Sequence, residues 1–85
     1  MEPNLTKEIS HYISRDRGFC HGRPRFRGTR IPLSTVLELL GSGMTIEEIL
    51  RGYPSLNKRA VQAAIRYAAV RIQDEEFIPL LAKAG

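Results

Sequence analysis

Residues 20–32 read C-H-G-R-P-R-F-R-G-T-R-I-P and hold the densest chemistry in the chain. Six arginines fall between Arg15 and Arg30, with Asp16 the only acid among them. A guanidinium fork binds two oxygens at once, so Arg23, Arg25, Arg27 and Arg30 together offer a clamp for phosphate or for the carboxylates of an acidic protein surface. Glycine, proline and Phe26 interrupt the run. That separates it from a self-repelling basic tail and gives it the turn residues and β-formers of a short ordered ribbon. His11, Cys20 and His21 add three side chains able to hold a metal. Their spacing fits no structural zinc pattern and lacks a fourth ligand. Cys20 and His21, as neighbours on a strand, point to opposite faces and do not form a nucleophile–base pair. The chemistry expected is recognition of anions, with no enzyme activity, metal or cofactor.

The four ribbon arginines divide by context. Arg25 and Arg27 flank Phe26, and period-two alternation turns them outward when Phe26 points in, towards solvent, phosphate or a partner. Gly22, Arg23 and Pro24, and likewise Gly28, Thr29 and Arg30, form tight motifs that favour a structural role. Arg30 would then pair with Asp16 or with carbonyls at the end of a helix. Gly28 is expected at a bulge or a close backbone approach.

Composition bounds the rest. Eighty-five residues make one domain at most, with a core small enough to gain from a second subunit. The net charge of +4 is uneven: +4 over residues 1–33, +2 over 34–73 and −2 over 74–85. A basic body with an acidic end points to a polyanion or an acidic protein as partner. The single cysteine excludes an internal disulfide and fits a reducing, cytoplasmic setting. No apolar run is long enough to span a bilayer, and M-E-P-N-L-T-K-E lacks the basic start and apolar centre of a secretory signal. Neither a membrane nor a small-molecule substrate is indicated.

The elements that must position these groups follow from periodicity. Residues 1–10 form an amino-terminal arm, with Leu5 and Ile9 spaced for one helical turn. Residues 11–32 form a basic β element: a strand over His11–Ser14, a turn at Asp16-Arg17-Gly18, and a return strand that Ile31-Pro32 ends. Residues 34–76 carry three helices. Ser34 is a fitting N-cap for the first, which buries Val36, Leu37, Leu39 and Leu40 and stops at Gly41-Ser42-Gly43. Thr45-Ile46-Glu47-Glu48 is a capping box opening a short second helix with Ile46, Ile49 and Leu50 inward. Asn57 caps the third, whose inward face is expected to be Val61, Ala64, Ile65, Ala68 and Ile72. Residues 77–85 are a carboxyl-terminal tail. The expected fold is mainly α: a three-helix helix-turn-helix bundle preceded by a short amino-terminal β-hairpin.

In a helix-turn-helix unit the third helix enters the major groove by its amino-terminal end. Asn57, Lys58, Arg59, Gln62 and Arg66 would then face DNA. Arginine and lysine suit guanine edges or phosphate, and asparagine and glutamine suit adenine. Ala63 would let that face approach closely. The same residues also describe the solvated side of any amphipathic helix. RNA is less suited, because Phe26 stands alone where stacking needs aromatic pairs.

The succession G-R-P-R-F-R-G-T-R-I-P, a leucine-rich helix, G-S-G-M-T-I-E-E-I-L, G-Y-P-S-L and an alanine-rich helix reaching Tyr67-Ala68 resembles a prokaryotic family of small VapB-like antitoxins, catalogued as a domain of unknown function. The resemblance covers residues 11–70 and is most specific at Gly22-Arg23-Pro24 and Gly28-Thr29-Arg30-Ile31-Pro32. Arg25 stands where that family more often carries an apolar residue. The resemblance implies a homeodomain-like fold after a small β element. It also implies an antitoxin of a type II toxin–antitoxin system, neutralising a PIN-like ribonuclease toxin and binding DNA at its own promoter. It supplies no catalytic residue.

On that reading Phe77, Ile78, Leu80 and Leu81, preceded by Asp74, Glu75 and Glu76, would fill a groove on the cognate toxin. Equally, they could complete this protein's own core or a dimer seam. A homodimer is expected because helix-turn-helix modules read paired half-sites, with Val70 or the ribbon's edge as the seam. The alternative is a non-catalytic protein-interaction module, or a small transcriptional regulator with no toxin partner.

Overall fold

The computed structural model describes residues 3–16 and 22–74, and side chains from residue 7 onward within the first helix. Element order is α1 (Pro3–Tyr12), β1 (Ile13–Arg15), β2 (Pro24–Phe26), α2 (Leu33–Gly41), α3 (Ile46–Gly52) and α4 (Lys58–Gln73). The fold is mainly helical, four helices around a two-stranded antiparallel hairpin.

The amino-terminal region departs from expectation. Local propensity predicts an arm over residues 1–10 and a strand over His11–Ser14; instead α1 runs to Tyr12 and the strand starts at Ile13. Leu5, Ile9 and Tyr12 recur at four and three residues, a helical spacing that outweighs the β-preference of His11-Tyr12. The helix packs against α4 and so is part of the fold, ahead of the hairpin.

β1 and β2 pair in the register Ile13↔Phe26, Ser14↔Arg25, Arg15↔Pro24. Ile13 and Phe26 therefore sit side by side on the inner face, and both are buried. After Phe26 the chain turns tightly. Thr29 N–H donates to the Phe26 carbonyl at 3.0 Å, and Gly28 takes φ +79°. The left-handed backbone explains the glycine; a Cβ there would meet nothing, so no close approach is involved. The Thr29 hydroxyl donates to the Phe26 carbonyl at 2.8 Å and accepts from Ile31 N–H at 3.0 Å, closing the turn from within.

Ser34 is not the cap of α2. Pro32 holds that position with no side-chain cap bond, and the helix begins at Leu33. Leu33 is buried, so starting two residues earlier puts a large side chain into the core and leaves Ser34 exposed. The helix ends as its glycines require. Gly43 takes φ +105°, its N–H donates to the Leu40 carbonyl at 3.0 Å, and Met44 N–H donates to the Leu39 carbonyl at 3.1 Å. At α3 the capping box forms: Glu48 N–H donates to the Thr45 hydroxyl at 3.1 Å, and Thr45 N–H donates to the Glu48 carboxylate at 2.8 Å. At α4 the Asn57 side-chain oxygen accepts from Ala60 N–H at 2.8 Å.

The buried core joins Ile13 and Phe26 from the hairpin, Leu33 and Val36 from α2, Ile49 from α3, Leu56 from the turn, and Ala60, Val61, Ala63 and Ala64 from α4, with half-buried Ile9 and Tyr12 of α1 packed against it. The buried arc of α4 is rotated from the expected one. Ala63, expected on the outer face, is fully buried, whereas Ile65 and Ile72, expected inside, are exposed. The cause is α1, an extra neighbour that covers the side of α4 a three-helix bundle would leave open. Alanines at 60, 63 and 64 suit close helix packing there.

Candidate nucleic-acid interface

The amino-terminal half of α4 places Lys58, Arg59, Gln62 and Arg66 on one exposed face, with exposed Asn57 immediately before them. Asn57 spends its side-chain oxygen on the helix cap, a bond that does not use its amide N–H donors. The Arg59 guanidinium lies 3.9 Å from the Glu8 carboxylate, with 73% of its side chain exposed. A pair this open is screened and worth little, so Arg59 is available to a stronger anion.

α1 borders this face. Lys7, Glu8, His11, Tyr12 and Arg59 line a shallow depression of about 290 Å³. An arm over residues 1–10 would give Lys7 and Glu8 no fixed place, so the sequence reading misses them, and it sets His11 in a strand and not on the helix that borders α4. The signal is the continuation of the Leu5–Ile9 spacing to Tyr12, which puts Lys7 and His11, four apart, on one helix face. The His11 ring stacks edge-on against Tyr12, with centroids 4.6 Å apart and planes at 88°. A second depression of about 360 Å³ runs from His11 and Arg27 to Ser55 and Asn57.

Two of the ribbon arginines, Arg25 and Arg27, fall out differently from their sequence contexts. Arg27, expected to face a ligand, turns back to the end of α1. Its Nη2 donates to the Ser10 carbonyl at 2.8 Å and the Ile13 carbonyl at 2.9 Å, and its Nε donates to Ser10 at 3.1 Å. These carbonyls belong to the end of α1 and the start of β1, where few backbone partners remain. Arg25, expected outward, is half-buried, and its Nη1 donates to the Thr29 carbonyl at 2.9 Å across the turn. Arg23 and Arg30 are exposed, which does not set them against the structural roles expected of them, and Arg30 has an interaction partner. Gly22 accepts at its carbonyl from Arg15 Nε at 2.6 Å, and Pro24 opens β2. Arg15 carries no mark of its role in the sequence. Its Nη1 also donates to the Tyr67 hydroxyl at 3.2 Å and so ties the hairpin to α4.

Cys20 and His21 lie outside the described residues, as do the tail residues Phe77, Ile78, Leu80 and Leu81. Among the described residues, no three His, Cys, Asp or Glu side chains cluster as metal ligands, and no helix is long and apolar enough to cross a membrane.

Residues 13–68 match the family described as "Protein of unknown function (DUF433)". No curated protein matches the chain. Among solved structures, a DUF433 member protein from Anabaena variabilis ATCC 29413 is similar at 30% identity and a TM-score of 0.70, over 82% of this chain and 69% of that one. The matched span begins at β1 and ends within α4, so it takes in the hairpin, both capped turns and the basic face of α4. The chain belongs to the DUF433 family.

Proposed function

We propose that this protein is a homodimeric, DNA-binding antitoxin of a type II toxin–antitoxin system, in which α2, α3 and α4 form a homeodomain-like helix-turn-helix unit and α4 is the reading helix. The observation that carries this reading is the exposed face of Lys58, Arg59, Gln62 and Arg66 at the amino-terminal end of the longest helix, directly after the short, capped α3. Those side chains combine phosphate-binding charge with an amide able to read a base edge. The chain's net positive charge favours the encounter. The toxin-neutralising half of the proposal rests on the resemblance of residues 11–70 to VapB-like antitoxins, and it makes a PIN-like ribonuclease the expected partner.

The test is a binding titration on DNA from upstream of the protein's own gene, with unrelated DNA as competitor. The parent should prefer its own promoter. Arg59→Ala with Arg66→Ala should weaken binding and lower the slope of log affinity against log salt by about 2, one for each phosphate left without its arginine. An unchanged affinity and slope would show that α4 does not touch DNA. Equal binding to both DNAs would reduce the interaction to that of any basic protein and favour a protein-interaction module.

A further inference from the structure

Ile65 and Ile72 are the large hydrophobic side chains that stay exposed among the described residues, at 42% and 66%. They lie seven residues apart on α4, with exposed Ala69 between them, so the three form one short apolar stripe. Single exposed apolar residues are ordinary, but a stripe at helical spacing marks a contact surface. Val70, the seam residue expected from the sequence, is half-buried and lies on the other side of the helix.

We infer that a second copy of this chain packs antiparallel along the carboxyl-terminal half of α4, with Ile65, Ala69 and Ile72 as the seam. Charge selects both the occupant and the direction. A parallel pair would set Lys58, Arg59 and Arg66 against the same residues of the second copy. An antiparallel pair separates the two basic ends and turns each towards Asp74, the residue that closes α4 in the other copy. A two-fold axis beside Ala69 brings Ile65 of each copy to Ile72 of the other, so the same patch serves both chains. Gln62 and Gln73 border the stripe and meet as neutral amides. Ala69 at the crossing allows the helix axes to approach closely. The pairing stands independently of DNA binding.

The experiment is sedimentation velocity on the full chain, with Ile65→Lys and Ile72→Lys combined in one variant. Both positions are exposed, so the variant should keep its helical circular dichroism. The parent should sediment as a dimer. The variant should be monomeric, with a dissociation constant raised at least about a hundredfold, because four isoleucines no longer leave water on pairing. Disulfide trapping in a Cys20→Ser background decides the matter even if the lysine variant unfolds. Ala69→Cys should cross-link two copies readily, whereas Lys58→Cys, separated from its counterpart by roughly 30 Å along the axis, should not. A monomeric parent overturns the inference, whatever then covers the isoleucines. So does a dimer indifferent to the lysine substitutions, or trapping at Lys58 in preference to Ala69.

Discussion

An arginine fork satisfies carbonyls as readily as phosphates, and Arg27 takes the carbonyls. Its hydrogen bonds to Ser10 and Ile13 join the end of α1 to the hairpin. Arg27→Ala should cost about 1–2 kcal/mol, because it leaves helix-end carbonyls to water and frees α1 to fray. Thermal unfolding should show a Tm lower by at least about 4 °C for a domain of this size. Arg27→Lys should restore little, since one ammonium cannot reproduce a planar fork spanning two carbonyls. A variant that melts like the parent would return Arg27 to ligand binding. Nothing in R-F-R reveals this role, because the carbonyls that receive Arg27 lie 17 and 14 positions earlier in the chain. Phe26 is different: one aromatic among alternating charged residues has only one face to occupy, and it is inside.

Helix starts and stops are legible wherever the signal is local. The Thr45–Glu48 box, the Asn57 cap and the Gly41-Ser42-Gly43 stop each form within a few residues, so the chain itself supplies both partners of each bond. Thr45→Ala should cost about 1 kcal/mol, measured by denaturant unfolding with an unchanged m-value. A larger loss, or a changed m-value, would mean that α3 depends on its cap for more than a local start. Ser34 shows where local reasoning stops. Its chemistry suits a cap, yet burial of Leu33 moves the helix start two residues back. α1 is half-legible. Leu5 and Ile9 signal one turn, but the helix extends over ten residues because it has α4 to pack on. Short helices draw most of their stability from such packing.

At the scale of the molecule, the ten buried residues among those described, shared among α2, α3, α4, the hairpin and one turn, make a small core. A core of that size is marginal alone and gains from a partner. Two partnerships are proposed: a second copy on the carboxyl-terminal half of α4, and DNA at its amino-terminal half. They are compatible because they use different faces of one helix: Arg66 follows Ile65 directly and so lies roughly 100° around the helix from it. An antiparallel seam would hold the two Lys58 ends roughly 30 Å apart, close to the spacing of successive major grooves. The toxin is tested by co-expressing the full chain with the product of the neighbouring gene. A co-eluting complex that relieves the neighbour's toxicity is the expected outcome. A harmless neighbour that elutes separately would remove the toxin and leave a small regulator.

The sequence by itself determined the helical class, the order of α2, α3 and α4, the caps of α3 and α4, the stop of α2, and the inward turn of Phe26. Each depends on residues a few positions apart, where propensity, capping and periodicity act directly. The tertiary structure alone decided which arc of α4 is buried and which arginines face out. Ala63 is covered and Ile65 is bare because α1 lies on one side of α4 and no described element lies on the other. Arg27 folds back onto the end of α1, though still exposed, because helix-end carbonyls are within its reach. Burial and hydrogen-bond satisfaction are properties of neighbours, and neighbours distant in sequence become adjacent only through the fold.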